Sequence, residues 1–317
     1  MVKVVSDRIK CNESSFDVLN DVLNSLRFKG SIFFQSELAS PWGMSLSKYD
    51  NPRFHIAVDG NCFVGVQGLS EPAIQMKHMD IVMLPGGDKH WIADQPGRKL
   101  ETSERAGAAC QLGTPLFQNG TITNKLICAI VEYDKDLSHP ILNSLPSILH
   151  FSNISLSDPV WMTVVLIDSI MKKEQSNNSV VIDRLAELLF IQLLKKHVLE
   201  CEDTTKFFAA LSDKRIHKTL ELIHNQPGDE WTLDLLVEKV NMSRATLVRQ
   251  FKKTVGMPPM MYLFEWRMIK AHNLIKNSNK TLEQISEDVG FSSARTLSKA
   301  FKKTYGKTPS QLRKILS

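Results

Sequence analysis

The sequence predicts an α+β chain made of two unlike halves. The first is a β-barrel or sandwich followed by a helical hairpin, and the second is an all-α domain carrying two helix-turn-helix units. Three observations predict this. Residues 31–132 hold short apolar segments separated by Gly, Pro and Asp turns, the pattern of many short strands. After His139 the apolar residues recur at helical spacing. Finally, TLDLLVEKVNMSRATLVRQFKKTVGMPP at 232–259 is repeated as TLEQISEDVGFSSARTLSKAFKKTYGKTP at 281–309. Thr232 answers Thr281 at an offset of 49, and Phe251 answers Phe301 at 50, so one extra residue near Ser292 absorbs the difference.

With 317 residues the chain suits two domains. We place a sensor and dimerisation domain at 1–205, a linker at 206–213 and a helical domain at 214–317. Charge divides the same way. Residues 213–317 hold 19 Lys and Arg against 10 Asp and Glu, a net of +9, whereas residues 1–212 hold 20 against 24. A basic C-terminal half beside a mildly acidic N-terminal half expects only the former to meet a polyanion. No apolar run reaches the length of a membrane span, and the N-terminus MVKVVSDRIKCNESS lacks an apolar signal core, so a cytoplasmic protein with no membrane partner is expected. Cys11, Cys62, Cys110, Cys128 and Cys201 are widely spaced, odd in number and without a CxxC, which argues against a disulfide framework or a cysteine zinc site.

Taken in order, residues 16–29 place Phe16, Leu19, Leu23 and Leu26 at helical spacing and predict an amphipathic helix. SIFFQS, FHIAV, NCFVGV, DIVMLP and KLICAIVEY are the expected strands. Residues 158–174 begin a helix with Asp158 as cap and Pro159 at the first helical position. A polar turn, KKEQSNNS, leads to a second long helix at 179–200. This hairpin, at about 155–200, either covers the β domain or forms a homodimer seam. A further helix spans 214–225.

In the repeats, Thr232 caps a first helix whose apolar stripe is Leu233, Leu236, Val237 and Val240. Asn241 and Gly290 stand where positive φ is often needed. Ser243 and Ser293 cap the second helices, which turn Leu247 and Phe251, or Leu297 and Phe301, inward. Left facing out are Ser243, Arg244, Thr246, Arg249, Lys252 and Lys253 in copy one, and Ser293, Ala294, Arg295, Thr296, Ser298, Lys299, Lys302 and Lys303 in copy two. Arg can pair bidentately with guanine, Ser and Thr can bond bases or phosphates, and Ala can meet a thymine methyl. The later lysines suit phosphates. Double-stranded promoter DNA is the expected partner. With Arg244 and Arg249 the first unit is expected to carry more base specificity, and the second more backbone grip. Residues 258–276 form a spacer helix, with Tyr262, Trp266, Ile269 and Leu274 packing both units onto it.

On these residues, namely MSRATLVRQFKKTVGMPP, YLFEWRMIKAHNLI and ISEDVGFSSARTLSKAFKKTYGKTPSQLRK, the stretch 214–317 resembles the DNA-binding domain of the AraC/XylS transcription regulators. It departs from the family pattern at Arg295 and at Thr296-Leu297. The landmarks DVLNDVLNSLRFKG, ELASPWG, FHIAVDG, PGGDKH and HPILNSLP make residues 17–150 similar to the cupin-type sensor domain of one branch of that family. The resemblance implies a small cupin-like β-barrel followed by helices. The expected function is that of a transcription activator answering a small-molecule or redox signal, with an unknown effector and RNA polymerase as further partners. Cupins often hold a metal through three histidines and a carboxylate. Here Pro85, Gly87 and His90 match PxGxxH, but His55 stands alone where a His-x-His pair belongs, and His78 is an irregular third ligand. Satisfied polar histidines are therefore expected, with no metal cofactor. Cys62 and Cys128 are the candidates for a redox signal. No GxSxG or phosphate loop occurs, so an enzyme is not expected. The alternative is a metal-dependent cupin enzyme with a DNA-binding appendage.

Overall fold

The computed structural model describes residues 13–26, 28–68, 72–112, 115–134, 137, 139–173, 180–200 and 206–314. Residues 174–179 of the expected polar turn KKEQSNNS, the last residues (201–205) of the expected first domain, Cys11 and Cys201 lie outside these residues.

Helix α1 (Glu13–Leu26) opens the described chain. It stops short of the expected end because Lys29 already pairs with Glu132 in a sheet. Then come β1 (Lys29–Ala39), β2 (Gly43–Leu46), β3 (Arg53–Asp59), β4 (Cys62–Val66), β5 (Ile74–Met76), β6 (Ile81–Leu84), β7 (His90–Ala93) and β8 (Glu101–Thr102). Helix α2 (Ser103–Gln111) interrupts a region where only strands are expected. The strand β9 (Ile122–Glu132), helix α3 (Pro140–Ser144) and strand β10 (Leu149–Phe151) follow. The hairpin helices are α4 (Pro159–Lys173) and α5 (Val180–Glu200). Asp158 Oδ1 accepts from Val160 N at 2.9 Å, the cap its position suggests.

The strands form two five-stranded sheets, ordered β1-β9-β3-β6-β10 and β5-β4-β7-β2-β8. Their inner faces enclose Leu38, Trp42, Met44, Val64, Val82, Leu84, Ile92 and Leu126. β1 runs antiparallel to β9 over almost its whole length, and β3 lies on the other side of β9. This is a double-sheet barrel in which inward residues alternate with outward ones.

The remaining helices are α6 (Lys206–Ser212), α7 (Lys214–Asn225), α8 (Leu233–Val240), α9 (Arg244–Val255), α10 (Pro259–Asn277), α11 (Leu282–Asp288), α12 (Ala294–Tyr305) and α13 (Pro309–Lys314). Residues 206–212 are thus helical where a linker is expected, because Phe207, Ala210 and Leu211 are buried.

The chain divides into two compact units that differ from the sequence-based boundaries. One holds Phe28–Tyr133 and Leu145–Val198. The other gathers α1, the described residues of 134–144 and the helices after Leu199. In that helical unit, Asn273 Nδ2 donates to the Ser25 carbonyl at 2.8 Å, tying α10 to α1. The Tyr262 hydroxyl on α10 sits 2.9 Å from His139 Nε2 and 2.7 Å from His224 Nε2 on α7. Trp266, Met268, Ile269 and Ile275 bury the rest of α10, while Leu274 is half-buried.

Candidate nucleic-acid interface and sensor cavity

Each repeat folds as two helices around a short turn. Thr232 Oγ1 accepts from Leu235 N at 3.2 Å, and Leu236 and Val240 are buried beneath. Asn241 ends α8 at φ 50°, in the left-handed region its position called for. In copy two, Thr281 and Gln284 form a reciprocal capping box at the start of α11, and Gly290 has φ 72°. The extra residue lies in this second turn, where Ser292 immediately precedes the cap of α12 and its Oγ is 3.3 Å from Thr296 Oγ1.

The two second helices begin alike. Ser243 Oγ accepts from Thr246 N, and Ser293 Oγ from Thr296 N, both at 3.2 Å. Leu247 and Phe251, like Leu297 and Phe301, are fully buried. With that face inward, Arg249, Lys252 and Lys253 are exposed on α9, and Arg295, Thr296, Lys299, Lys302 and Lys303 on α12. Thr246, Ala294 and Ser298 are partly exposed. The paired lysines stand in the last turn of each helix, where cations meet the negative end of the helix dipole. Arg244 is exposed on α9 as well, with one added feature. Its guanidinium is paired with the Asp234 carboxylate of α8, although both side chains remain largely solvated.

In the barrel, the register sets His55 on β3 directly opposite Cys128 on β9, so the two side chains share one face. His90 opens β7 in the facing sheet. The turn that delivers it needs glycine, because a Cβ on Gly87 would lie 1.6 Å from the Tyr49 carbonyl oxygen. His90 Nδ1 is 2.6 Å from the Asp88 carbonyl oxygen, which can only accept. The proton therefore sits on Nδ1, and Nε2 accepts. His55 Nε2, 2.8 Å away, donates to it, leaving His55 Nδ1 to accept from the Cys128 thiol at 2.9 Å. Burial keeps both rings neutral: His90 is pushed down to about 4, and His55 falls well below the ordinary histidine range. Burial pushes the Cys62 thiol up to about 12 and the Cys128 thiol up as well. Both thiols are buried, and a suppressed thiolate is a poor partner for oxidants.

His78, the third expected ligand, is not brought to this pair. It is exposed, with Nδ1 2.7 Å from the Val58 carbonyl and its ring edge-on to Trp161. A metal does not fit the other two. An ion bound at about 2 Å from each nitrogen would hold the imidazoles further apart than the observed 2.8 Å. Among the described residues, no three His, Cys, Asp or Glu side chains are placed to hold an ion.

Beside this hydrogen-bonded chain lies a cavity of about 220 Å³, lined by Met44, Leu46, Ile92 and Ile130 and by Arg53 and Glu104. Neither Arg53 nor Glu104 stands out in the sequence as a site residue. Only the two-residue spacing from Arg53 to His55 along β3, which puts both on one face, could have signalled the former.

A barrel with a side-chain-lined cavity, joined in one chain to two basic helix-turn-helix units, defines a sensor-bearing transcription regulator. Residues 17–199 match the Cupin family, and residues 236–315 match the Helix-turn-helix domain family. The chain is 26% identical over 309 residues to the HTH-type transcriptional regulator AlkR of Acinetobacter baylyi, covering 94% of this chain and 99% of that one. It is also 26% identical over 310 residues to a putative AraC-like transcription regulator of Streptomyces lividans, covering 94% and 98%. A solved AraC-type regulator from Chromobacterium violaceum is 26% identical, with a TM-score of 0.31, over 32% of this chain and 92% of that one. The chain belongs to the AraC-type transcription regulators with a cupin sensor domain. It binds DNA through its helix-turn-helix domain. Among the described residues no helix is long and apolar enough to cross a membrane.

Proposed function

We propose that this regulator acts in the cytoplasm, takes a small, largely apolar effector into the barrel cavity, and reads promoter DNA with α9 and α12. The observation that carries the sensor reading is the cavity beside His55 and Cys128, lined mostly by apolar side chains together with Arg53 and Glu104. Thr246, Arg249, Arg295, Thr296, Ser298 and Lys299 are assigned to bases and nearby phosphates, and Lys252, Lys253, Lys302 and Lys303 to the backbone. The exposed Met162, Val165 and Leu166 on α4, and Val181 and Leu188 on α5, support a homodimer through the hairpin.

A large side chain at Gly107 tests the sensor. A Cβ there meets nothing within 4 Å, and the residue borders the cavity. Gly107→Phe should abolish the transcriptional response to inducing culture conditions while DNA affinity stays at the parental level. A full response with the cavity plugged would overturn the assignment. Transcription by RNA polymerase from a bound promoter, with and without the protein, then reads whether the output is activation.

A further inference from the structure

Two glycines and one arginine meet where the helix-turn-helix units approach each other. Arg267 lies on α10, the helix between them. Its guanidinium donates to three backbone carbonyls: Nε to Pro227 at 2.7 Å, Nη2 to Asp229 at 2.6 Å and Nη1 to Gly290 at 3.0 Å. Pro227 and Asp229 belong to the loop entering α8, in the first unit. Gly290 belongs to the turn of the second.

The backbones are close at this point. A Cβ on Gly228 would come 2.8 Å from the Asp288 carbonyl oxygen at the end of α11. One on Gly290, at φ 72°, would come 2.6 Å from both Arg267 Nη2 and the Gly228 carbonyl oxygen. The units therefore abut main chain to main chain where a side chain has no room. The planar fork of one arginine bonds to both sides, which a single ammonium cannot reproduce in the same geometry. All three nitrogens face protein carbonyls, so this arginine does not serve base readout.

Two recognition helices enter successive major grooves only when they are held about 34 Å apart on one DNA face. A tilt of one unit against the other moves its helix along the duplex. We infer that Arg267 is a positioning residue that fixes the angle between the two helix-turn-helix units, and so sets the base-pair spacing between the segments the protein reads.

The test uses the intact protein and duplexes that the parental chain selects from a randomised pool. One series adds or removes one or two base pairs between the two protected segments, and another carries a single segment. Arg267→Lys should bind the parentally spaced duplex about tenfold more weakly. It should bind single segments as the parent does, and its penalty for altered spacing should shrink. Gly290→Ala, which crowds the fork while keeping the arginine, should show the same flattened spacing profile. Equal losses on single and double segments would overturn the inference, as would a parental spacing profile in either variant. Loss of cooperative melting in Arg267→Lys would overturn it too, since the side chain would then hold the fold rather than the angle.

Discussion

An arginine that reads a base has to leave whatever holds it in the free protein. Arg244 is held by Asp234 across the first unit, while Arg295 stands exposed on α12. The exposed pair is worth under about 1 kcal/mol, but that sum is subtracted from whatever Arg244 gains on DNA. Base specificity in copy one then falls mainly to Arg249, and the balance between copies shifts toward the second. We expect Arg295→Ala to lose about 1–3 kcal/mol on its preferred sequence and little on scrambled DNA, with Arg244→Ala losing less. Lys302→Ala should weaken binding to every sequence alike and flatten the salt slope. Anisotropy titrations on both DNAs over a salt series read all three. The barrel histidines give a pH prediction. His90 titrates near 6.5 when unfolded and about 4 when folded, so below 6.5 the unfolded chain binds the proton that the folded chain refuses. His55 is lowered in the same direction. Stability should thus hold above pH 6.5 and fall from there toward pH 4, by up to about 1.4 kcal/mol per pH unit for each ring. Urea melts of His90→Gln, carried out across that range, should lose part of the slope. An unchanged slope would mean that other groups cause it.

At the level of elements, α8, α9, α11 and α12 are legible in the sequence because their signals are local. A cap, an apolar pair four residues apart and a left-handed stop fall within a dozen residues. The same holds for the Asp158-Pro159 start of α4. Removing such a signal has a bounded effect: Ser293→Ala should destabilise the helical unit by about 1 kcal/mol. Because the cap also orients the first turn of α12, DNA affinity should fall further than for Ser310→Ala, at an exposed position in α13. Chemical denaturation and the same titrations would show this, and equal effects of the two changes would mean that the cap neither stabilises nor orients α12. The less legible elements depend on distant partners. β2, β5, β7, β8 and β10 are two to four residues long, too short for an alternation to register, and exist only through their neighbours in the sheets. α6 reads as polar linker until Phe207 and Leu211 find a core. In the sensor, PxGxxH pointed to His90. The pairing of His55 with Cys128 was invisible, because it rests on the register of β3 against β9.

At the scale of the whole chain, the boundaries drawn from composition at 205 and 214 do not match the way the molecule packs. α1 and the described residues of 134–144 come from the N-terminal half of the sequence, yet they belong with the DNA-binding helices. The junction is a buried chain of polar groups. Ile141 N donates to His139 Nδ1 at 3.2 Å, so His139 Nε2 carries its proton and donates to the Tyr262 hydroxyl. That hydroxyl donates in turn to His224 Nε2, leaving the proton of His224 on Nδ1, 3.5 Å from the Asp21 carboxylate of α1. Four separate segments thus share one chain of donors and acceptors, and each proton has a single consistent place. We propose that the functional DNA-binding unit includes α1 and the 134–144 segment. A fragment of residues 206–317 should then melt below the corresponding transition of the intact chain and bind DNA more weakly, because Tyr262 and Trp266 lose their cover. Within the intact chain, Tyr262→Phe keeps the ring but strands His139 and His224, and should destabilise this unit by about 1–3 kcal/mol. Asp21→Asn, at the outer end, should do less, since its partner is further away and Asp21 is more exposed. A fragment as stable and as tight on DNA as the whole chain would return the boundary to residue 206, and a silent Tyr262→Phe would show that apolar contact alone holds the junction.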